Sequence, residues 1–238
     1  MTDERSLARL TELAGGHGLD DTQRDRLRQL LELLTEDPLA PTSIRDPQRA
    51  LETHLADSLS ALEVPALADP DAIADIGSGA GLPGLAIAIA RPDAEVHLVE
   101  SQRRKCDFIA RAALALRLEN TNVVCARVEE WEDGRERSDV VLARALAAQP
   151  VVLEYAAPLL RVAGTLVDFR GRRNPADESS ALSAAAELGL ARSEVRAVAP
   201  FPTAEGHHLH LFVKEQETPA RFPRRAGVAR KRPLGAAA

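Results

Sequence analysis

Cysteine is nearly absent from this chain: Cys106 and Cys125 are the only two in 238 residues. So few thiols form neither a disulfide framework nor a ligand cluster, and both are expected to be reduced, buried, and packed as small hydrophobes. No apolar run approaches the length of a membrane span, and Met1-Thr2-Asp3-Glu4-Arg5 lacks the basic-then-apolar order of a secretory signal. A cytoplasmic protein with no membrane partner is the expectation. Acids are missing beyond Glu217, where Arg221, Arg224, Arg225, Arg230, Lys231 and Arg232 follow without a carboxylate, although the whole chain has a net charge of −6. The average charge argues against a nucleic-acid partner, whereas a basic, Pro-containing tail on an acidic body suits an electrostatic arm for phosphates. A solvated terminus explains the same composition equally well. A third arrangement folds Phe222-Pro223-Arg224-Arg225 back onto the domain, with Phe222 buried and the arginines lining an entrance for the phosphate-bearing partner.

With 45% hydrophobic and 28% charged residues, the chain can build one sizeable core with a small appendage. Its most informative stretch is Asp75-Ile76-Gly77-Ser78-Gly79-Ala80-Gly81-Leu82-Pro83-Gly84, which follows one short apolar run and precedes another that ends in Glu100. A strand, a glycine turn, a helix and a second strand ending in an acid describe a nucleotide-binding crevice. The turn lets backbone approach a ligand, the helix start offers unpaired N–H groups, and the acid suits ribose hydroxyls. Gly77-x-Gly79-x-Gly81 is the spacing common in S-adenosylmethionine enzymes, while Gly79-x-Gly81-x-x-Gly84 satisfies the dinucleotide fingerprint, so the glycines alone leave both cofactors open. Asp75 separates them: its charge suits a cationic amino group and would repel a pyrophosphate.

The N-terminal third reads as helices, with Leu7, Leu10 and Leu13, then Leu27, Leu30, Leu31 and Leu34, at helical spacing. Asp46-Pro47 reads as an N-cap and first helical position, opening a helix with Leu51, Leu55, Leu59 and Leu62 on one face. His54, Asp57 and Ser58 share a neighbouring face, which from spacing alone reads as an exposed polar surface.

From Asp71 strands alternate with helices, as in a parallel sheet covered on both sides. The strands are Ile73–Ile76, Glu95–Glu100, Asn122–Cys125, Asp139–Leu142 and Gly164–Phe169. A helix capped by Ser101 runs through Phe108, Ala112 and Leu116, another begins after Pro150, and residues 176–190 form an Ala-rich helix ended by Gly189. Glu194–Val198 and His208–Val213 have no helix between them and should pair as an antiparallel hairpin. His208 and His210 share a strand face without carboxylate or cysteine companions, so no metal site is expected.

Several motifs in this order resemble the small-subunit ribosomal RNA guanine-N7 methyltransferases, also called glucose-inhibited division protein B. They are Ser43-Ile44-Arg45-Asp46-Pro47, His54-x-x-Asp57-Ser58, the glycine stretch with its Leu82-Pro83-Gly84, Arg127-Val128-Glu129-Glu130, Ala143-Arg144-Ala145, and Thr218 to Gly227. The resemblance covers about Ser43 to Leu234. It implies an α/β fold of the Rossmann-like class I methyltransferase type, with a mostly parallel sheet closed by an antiparallel C-terminal hairpin and preceded by a helical extension. The expected parts are 1–65 for the extension, 66–217 for the S-adenosylmethionine-binding domain, and 218–238 for the basic tail.

Carried over residue by residue, the resemblance implies that Gly77 and Leu82 line the methionine and ribose region, with Asp75 and Gly79 in the same turn. Glu100 holds the ribose, and Val128 and Glu129 contact adenine. Arg144 closes the site, Arg127 points toward substrate, and His54, with Asp57 and Ser58, supports the site mouth. The implied partner is small-subunit ribosomal RNA or the assembling subunit, met by a monomer. Two departures bear on the RNA side. Thr35-Glu36 and Ala40-Pro41-Thr42 stand where family members often carry Trp-Asn and Asn-Leu-Thr, and Arg170 replaces a lysine before Gly171. Without the resemblance, Arg127 and Arg144 would read as ion-pair partners of Glu129 or Glu130.

Guanine N7 has a free lone pair and no proton to lose, so methyl transfer needs orientation rather than a general base. That agrees with a sequence offering no nucleophile-base pair. Arginines that stack on or hydrogen-bond to an unstacked guanine are the expected helpers.

Overall fold

The computed structural model describes residues 4–235. Its first helices form where apolar residues recur every three to four positions. α1 (Glu4–Gly16) buries Leu10 and Leu13, and α2 (Asp21–Glu36) buries Leu27, Leu30, Leu31 and Leu34. Asp20 starts α2 with a reciprocal cap. Its carboxylate accepts from the Gln23 N–H, and the Gln23 side-chain oxygen accepts from the Asp20 N–H. α3 (Pro47–Ala50) begins after Asp46, whose carboxylate accepts from the Arg49 N–H. It runs through a π-helical stretch, Leu51–Ala56, into α4 (Asp57–Leu59), with Leu51, Leu55 and Leu59 fully buried.

Seven strands follow: β1 (Ala72–Ile76), β2 (Glu95–Val99), β3 (Thr121–Val124), β4 (Ser138–Arg144), β5 (Leu160–Arg170), β6 (Leu190–Val198) and β7 (His207–Lys214). They form one sheet in the order β3-β2-β1-β4-β5-β7-β6, in which β7 pairs antiparallel with both β5 and β6 and the other pairings are parallel. The crossovers are α5 (Gly84–Ala90), α6 (Arg103–Ala115), α7 (Gln149–Ala156) and α8 (Pro175–Leu188), ended by Gly189 in the left-handed conformation. The expected Rossmann-like arrangement is present.

Alternation along the strands divides the interior into two cores. Ile73, Val96, Leu98, Val140 and Leu142 face the N-terminal helices with α5 and α6, while Ala74, Ile76, Val99, Val141 and Ala143 face α7 and α8. The parallel strands therefore end together at one edge. There the turn after β1, Glu100 after β2, Arg127–Glu129 after β3 and the 145–149 segment after β4 converge, as ligand crevices of such sheets do. Among the described residues, no helix is long and apolar enough to cross a membrane.

Three sequence expectations change, and one left open is decided. Cys106 is buried, but Cys125, just past β3, is exposed, since it follows the last paired residue of an edge strand. Ser101 does not cap α6: the N-cap position is Gln102, whose N–H donates to Glu100 Oε1. His210 does have a carboxylate neighbour, since it pairs in register with Asp168 on β5. The basic tail is neither a free arm nor a solvated terminus. Phe222 and Ala229, the latter in α9 (Val228–Lys231), join the core beside α7 and α8, and Arg224 grips the buried Glu154 through its backbone N–H and its guanidinium. Of the three arrangements open to the tail, the observed one is folding back with Phe222 buried; Ala236 to Ala238 lie outside the described residues.

Candidate functional site

The turn after β1 is built from backbone that only glycine adopts readily. Gly77, at φ +72°, leaves space that a Cβ would fill 2.5 Å from Leu146 Cδ1. Its N–H and that of Ser78 donate to the Val99 carbonyl, tying the turn to the end of β2. Gly84 is needed for a different reason: a Cβ there would stand 2.7 Å from Asp75 Oδ2.

Glu100 closes β2 and bridges two elements. Its Oε2 accepts from the Gly79 N–H at 3.1 Å and its Oε1 from the Gln102 N–H at 2.8 Å. The carboxylate thus rests between the glycine turn and the start of α6. Beside it lies a cavity of about 280 Å³ whose wall includes Gly77, Glu100, Lys105, Arg127, Val128, Glu129, Leu146, Tyr155 and Arg230. Of the residues expected to hold a cofactor, Gly77, Glu100, Val128 and Glu129 meet on this wall, and Gly79 supports it through Glu100. Lys105, Tyr155 and Arg230 were not anticipated. Lys105, 3.9 Å from Glu100, lies on the first turn of the helix after the acid, which is a legible signal; for Tyr155 there was none.

Leu82, Asp75 and Arg144 stand off this wall. Leu82 is buried in the core on the α5 side. Asp75 points to the same side, where its Oδ2 accepts from the Gly84 N–H and its Oδ1 has no partner. Burial raises its pKa to about 6 against the opposing Gly84 hydrogen bond.

Arg144 is held by the N-terminal helices. Its Nη1 donates to Asp57 Oδ2 at 2.9 Å, to Ser58 Oγ at 3.2 Å, and to the carbonyls of Thr53 and His54. Thr53 and His54 lie in the π-helical stretch, where the widened turn makes carbonyls available to an outside donor. Asp57 Oδ1 also meets His207 Nδ1 at 3.1 Å. The expected exposed face of His54, Asp57 and Ser58 is therefore a buried mooring for Arg144, with Asp57 9% and Ser58 0% exposed. Periodicity cannot reveal this, because Arg144 comes from a distant strand. His54 Nε2 is 2.9 Å from Thr42 Oγ1, and burial, followed by the nearby Arg144 charge, lowers the His54 pKa to about 4.

Arg127 differs from Arg144: among the described residues it makes no ion pair, and it lies where the cavity meets an open groove lined by Glu130, Arg135, Arg225 and Lys231. Glu129, proposed by composition as its partner, instead accepts from the Gly227 N–H of the tail. Among the described residues, no group of three or more His, Cys, Asp or Glu could hold a metal ion.

The cavity fits an adenosyl cofactor on its own geometry. A carboxylate is held at the end of β2, apolar Val128 and Leu146 flank it, and the missing Cβ of Gly77 opens the wall. The family profile described as rRNA small subunit methyltransferase G matches residues 24–201. A ribosomal RNA small subunit methyltransferase G from Rubrobacter xylanophilus is 42% identical over 196 residues, covering 80% of this chain and 75% of that protein. One of the same name from Chloroflexus aggregans is 37% identical over 231 residues, 94% of this chain and 95% of the other. The fold is similar to that of a SAM-dependent methyltransferase from Aquifex aeolicus, with a TM-score of 0.55 at 15% identity over 69% of this chain and 93% of that one. Aeropyrum pernix fibrillarin, crystallised with natively bound S-adenosyl-L-methionine, gives 0.54 at 17% identity over 66% and 73%.

Proposed function

The chain belongs to the rRNA small subunit methyltransferase G family, and from that premise we propose that it methylates N7 of a guanine in small-subunit (16S) ribosomal RNA. It is an S-adenosylmethionine-dependent methyltransferase of Rossmann-like fold. The observation that carries the reading is Glu100, fixed by the N–H groups of Gly79 and Gln102 at the edge of the cavity below Gly77.

When bound, S-adenosylmethionine supplies an electrophilic methyl group on a sulfonium. Glu100 retains acceptor capacity for the ribose hydroxyls, since each carboxylate oxygen has two lone pairs and the protein uses only some of them. Val128 and Glu129 border the adenine side, with Glu129 oriented by the tail. Gly77 admits the ligand beside Leu146, and Asp75, buried on the other face of the sheet, braces the turn by accepting from the Gly84 N–H. The guanine lone pair needs no base, so the protein's remaining task is alignment. Arg144, moored through Asp57, gives the site mouth a fixed cation supported by His54, and Arg127, which makes no ion pair among the described residues and borders both the cavity and the open groove, is available to the RNA. The reading includes a cytoplasmic monomer that meets ribosomal RNA or the assembling subunit.

The test is to map 7-methylguanosine in small-subunit ribosomal RNA from cells with and without the gene. One modification is expected to disappear and to return on complementation. Identical maps would reject the proposal.

A further inference from the structure

An open groove of about 740 Å³ runs beside the cofactor cavity. Its walls come from two segments far apart in the chain, residues 127–135 after β3 and residues 223–231 of the folded tail. Arg127 and Glu129 line both the groove and the cavity, so the two spaces share a border. The walls are tied in place. Glu129 Oε1 accepts from the Gly227 N–H at 2.9 Å, which joins one wall to the other, and Arg224 is clamped on the buried Glu154 of α7.

The charges of the groove fall into two sets. Arg135 pairs with Glu132 at 2.8 Å, Arg224 is matched by Glu154, and Glu129 is engaged by the tail. The second set is unmatched: Arg127, Arg225 and Lys231 are exposed and have no acidic partner among the described residues, and Glu130 is the one groove acid in the same condition. A chain with a net charge of −6 thus places three unmatched cations against one unmatched acid on the border of its cofactor cavity. An unmatched cation can neutralise a phosphate and release its counterions, whereas a paired one is already compensated. Among the described residues lining the groove, the only apolar side chains are those of Pro223 and Ala226, so no aromatic face is offered to stack a base and no pocket to hold an apolar side chain. Such a surface suits contact with a sugar-phosphate backbone, which positions without reading sequence.

We propose that this groove carries the phosphate backbone of the RNA that flanks the methyl acceptor, held by Arg225 and Lys231 of the tail and by Arg127. Arg127, on the border of both spaces, marks where the RNA leaves the groove for the cavity. The inference rests on the reading of the protein as a ribosomal RNA methyltransferase and adds the surface that holds its substrate.

The test is filter binding of the full chain to a protein-free 16S ribosomal RNA transcript at potassium chloride from about 50 to 300 mM. Arg225→Ala/Lys231→Ala should weaken binding about tenfold near 150 mM salt and lower the slope of log affinity against log salt by about 1.4 to 1.8. Glu130→Gln, which removes the unmatched acid, should tighten binding about two- to threefold. Arg221→Ala/Arg232→Ala takes as many charges from the same tail outside the groove and should leave affinity within about twofold of wild type. None of these side chains lines the cofactor cavity, so melting temperature and S-adenosylhomocysteine affinity should hold in all three variants and report their fold. Polyuridylate should displace the transcript about tenfold better than polyglutamate of equal charge, since arginine forks match phosphate and an acidic polypeptide has none. Wild-type affinity and slope in Arg225→Ala/Lys231→Ala, an equal loss in the Arg221→Ala/Arg232→Ala control, weaker or unchanged binding by Glu130→Gln, or equal displacement by polyglutamate would overturn the proposal. No methyl transfer is measured, so such a failure leaves the 7-methylguanosine map standing. The expected binding series beside identical maps would reject N7 methylation and keep the groove as an RNA surface.

Discussion

Glu100, just past β2, and Asp75, on β1, are both buried acids, and their surroundings set different behaviours. Glu100 is held by two backbone N–H groups and lines the cavity, so Glu100→Ala should weaken S-adenosylhomocysteine binding by about 1–2 kcal/mol through loss of charge-assisted hydrogen bonds. Isothermal titration checks this, and unchanged affinity would remove Glu100 from the site. Asp75 is sealed, and burial raises its folded pKa to about 6, above the ordinary aspartate value of 3.8. The folded state therefore holds its proton more tightly than the unfolded chain, and stability falls as pH rises through that window. Asp75→Asn should stabilise the cofactor-free protein at pH 7 by roughly 1–2 kcal/mol and flatten this dependence. Denaturant melts of both proteins between about pH 4 and 8 measure this, and a wild-type stability that does not change with pH across that range would contradict it.

At the scale of elements, the run from α3 through the π-helical stretch to α4 is a support for β4. Its carbonyls, Asp57 and Ser58 all bind one guanidinium, and Asp57 also reaches His207 on β7. Removing one partner of a buried pair leaves the other charge uncompensated, so Asp57→Ala should destabilise the fold by about 3 kcal/mol. Methyl transfer should fall further than S-adenosylhomocysteine affinity, because Arg144 is off the cofactor cavity wall. Chemical denaturation and single-turnover transfer on the same variant test this; loss of cofactor affinity in proportion to activity would contradict it. The helix itself was legible, since Asp46-Pro47 and the leucine stripe mark its start and inner face. Its polar partner was not, because Arg144 lies nearly ninety residues away.

On the scale of the whole molecule, the tail joins the two halves of the site. Phe222 enters the α7–α8 core, Arg224 pairs with the fully buried Glu154, Gly227 orients Glu129, and Arg230 lines the cavity beside Glu100. An independent electrostatic arm could be cut away without touching the cofactor. Here, ending the chain at Glu217 should lower the melting temperature by several degrees and weaken S-adenosylhomocysteine binding as well as RNA binding. Arg224→Ala alone should cost about 2–4 kcal/mol, since Glu154 would be left buried and unpaired. Differential scanning calorimetry and cofactor titration of both proteins decide the matter, and cofactor affinity untouched by the truncation would restore the arm.

The sequence by itself determined the elements and the glycine-turn and acid edge of the first cavity. Glycine spacing, strand and helix periods, and an acid at the end of β2 are local patterns, and local backbone sterics and alternation are enough to turn them into Gly77, Gly79 and Glu100 in contact. Only the tertiary structure decided which polar groups are buried and with whom. His54, Asp57 and Ser58 read as solvated until Arg144 covers them, the tail's Arg224 and Arg230 read as free until Glu154 and Leu146 receive them, and His210 reads as a strand-face residue until Gln149 bridges it to Asp168. The physical reason is that charge and hydrogen-bond satisfaction depend on partners brought together by packing, whereas helix and strand periods depend on near neighbours in the chain.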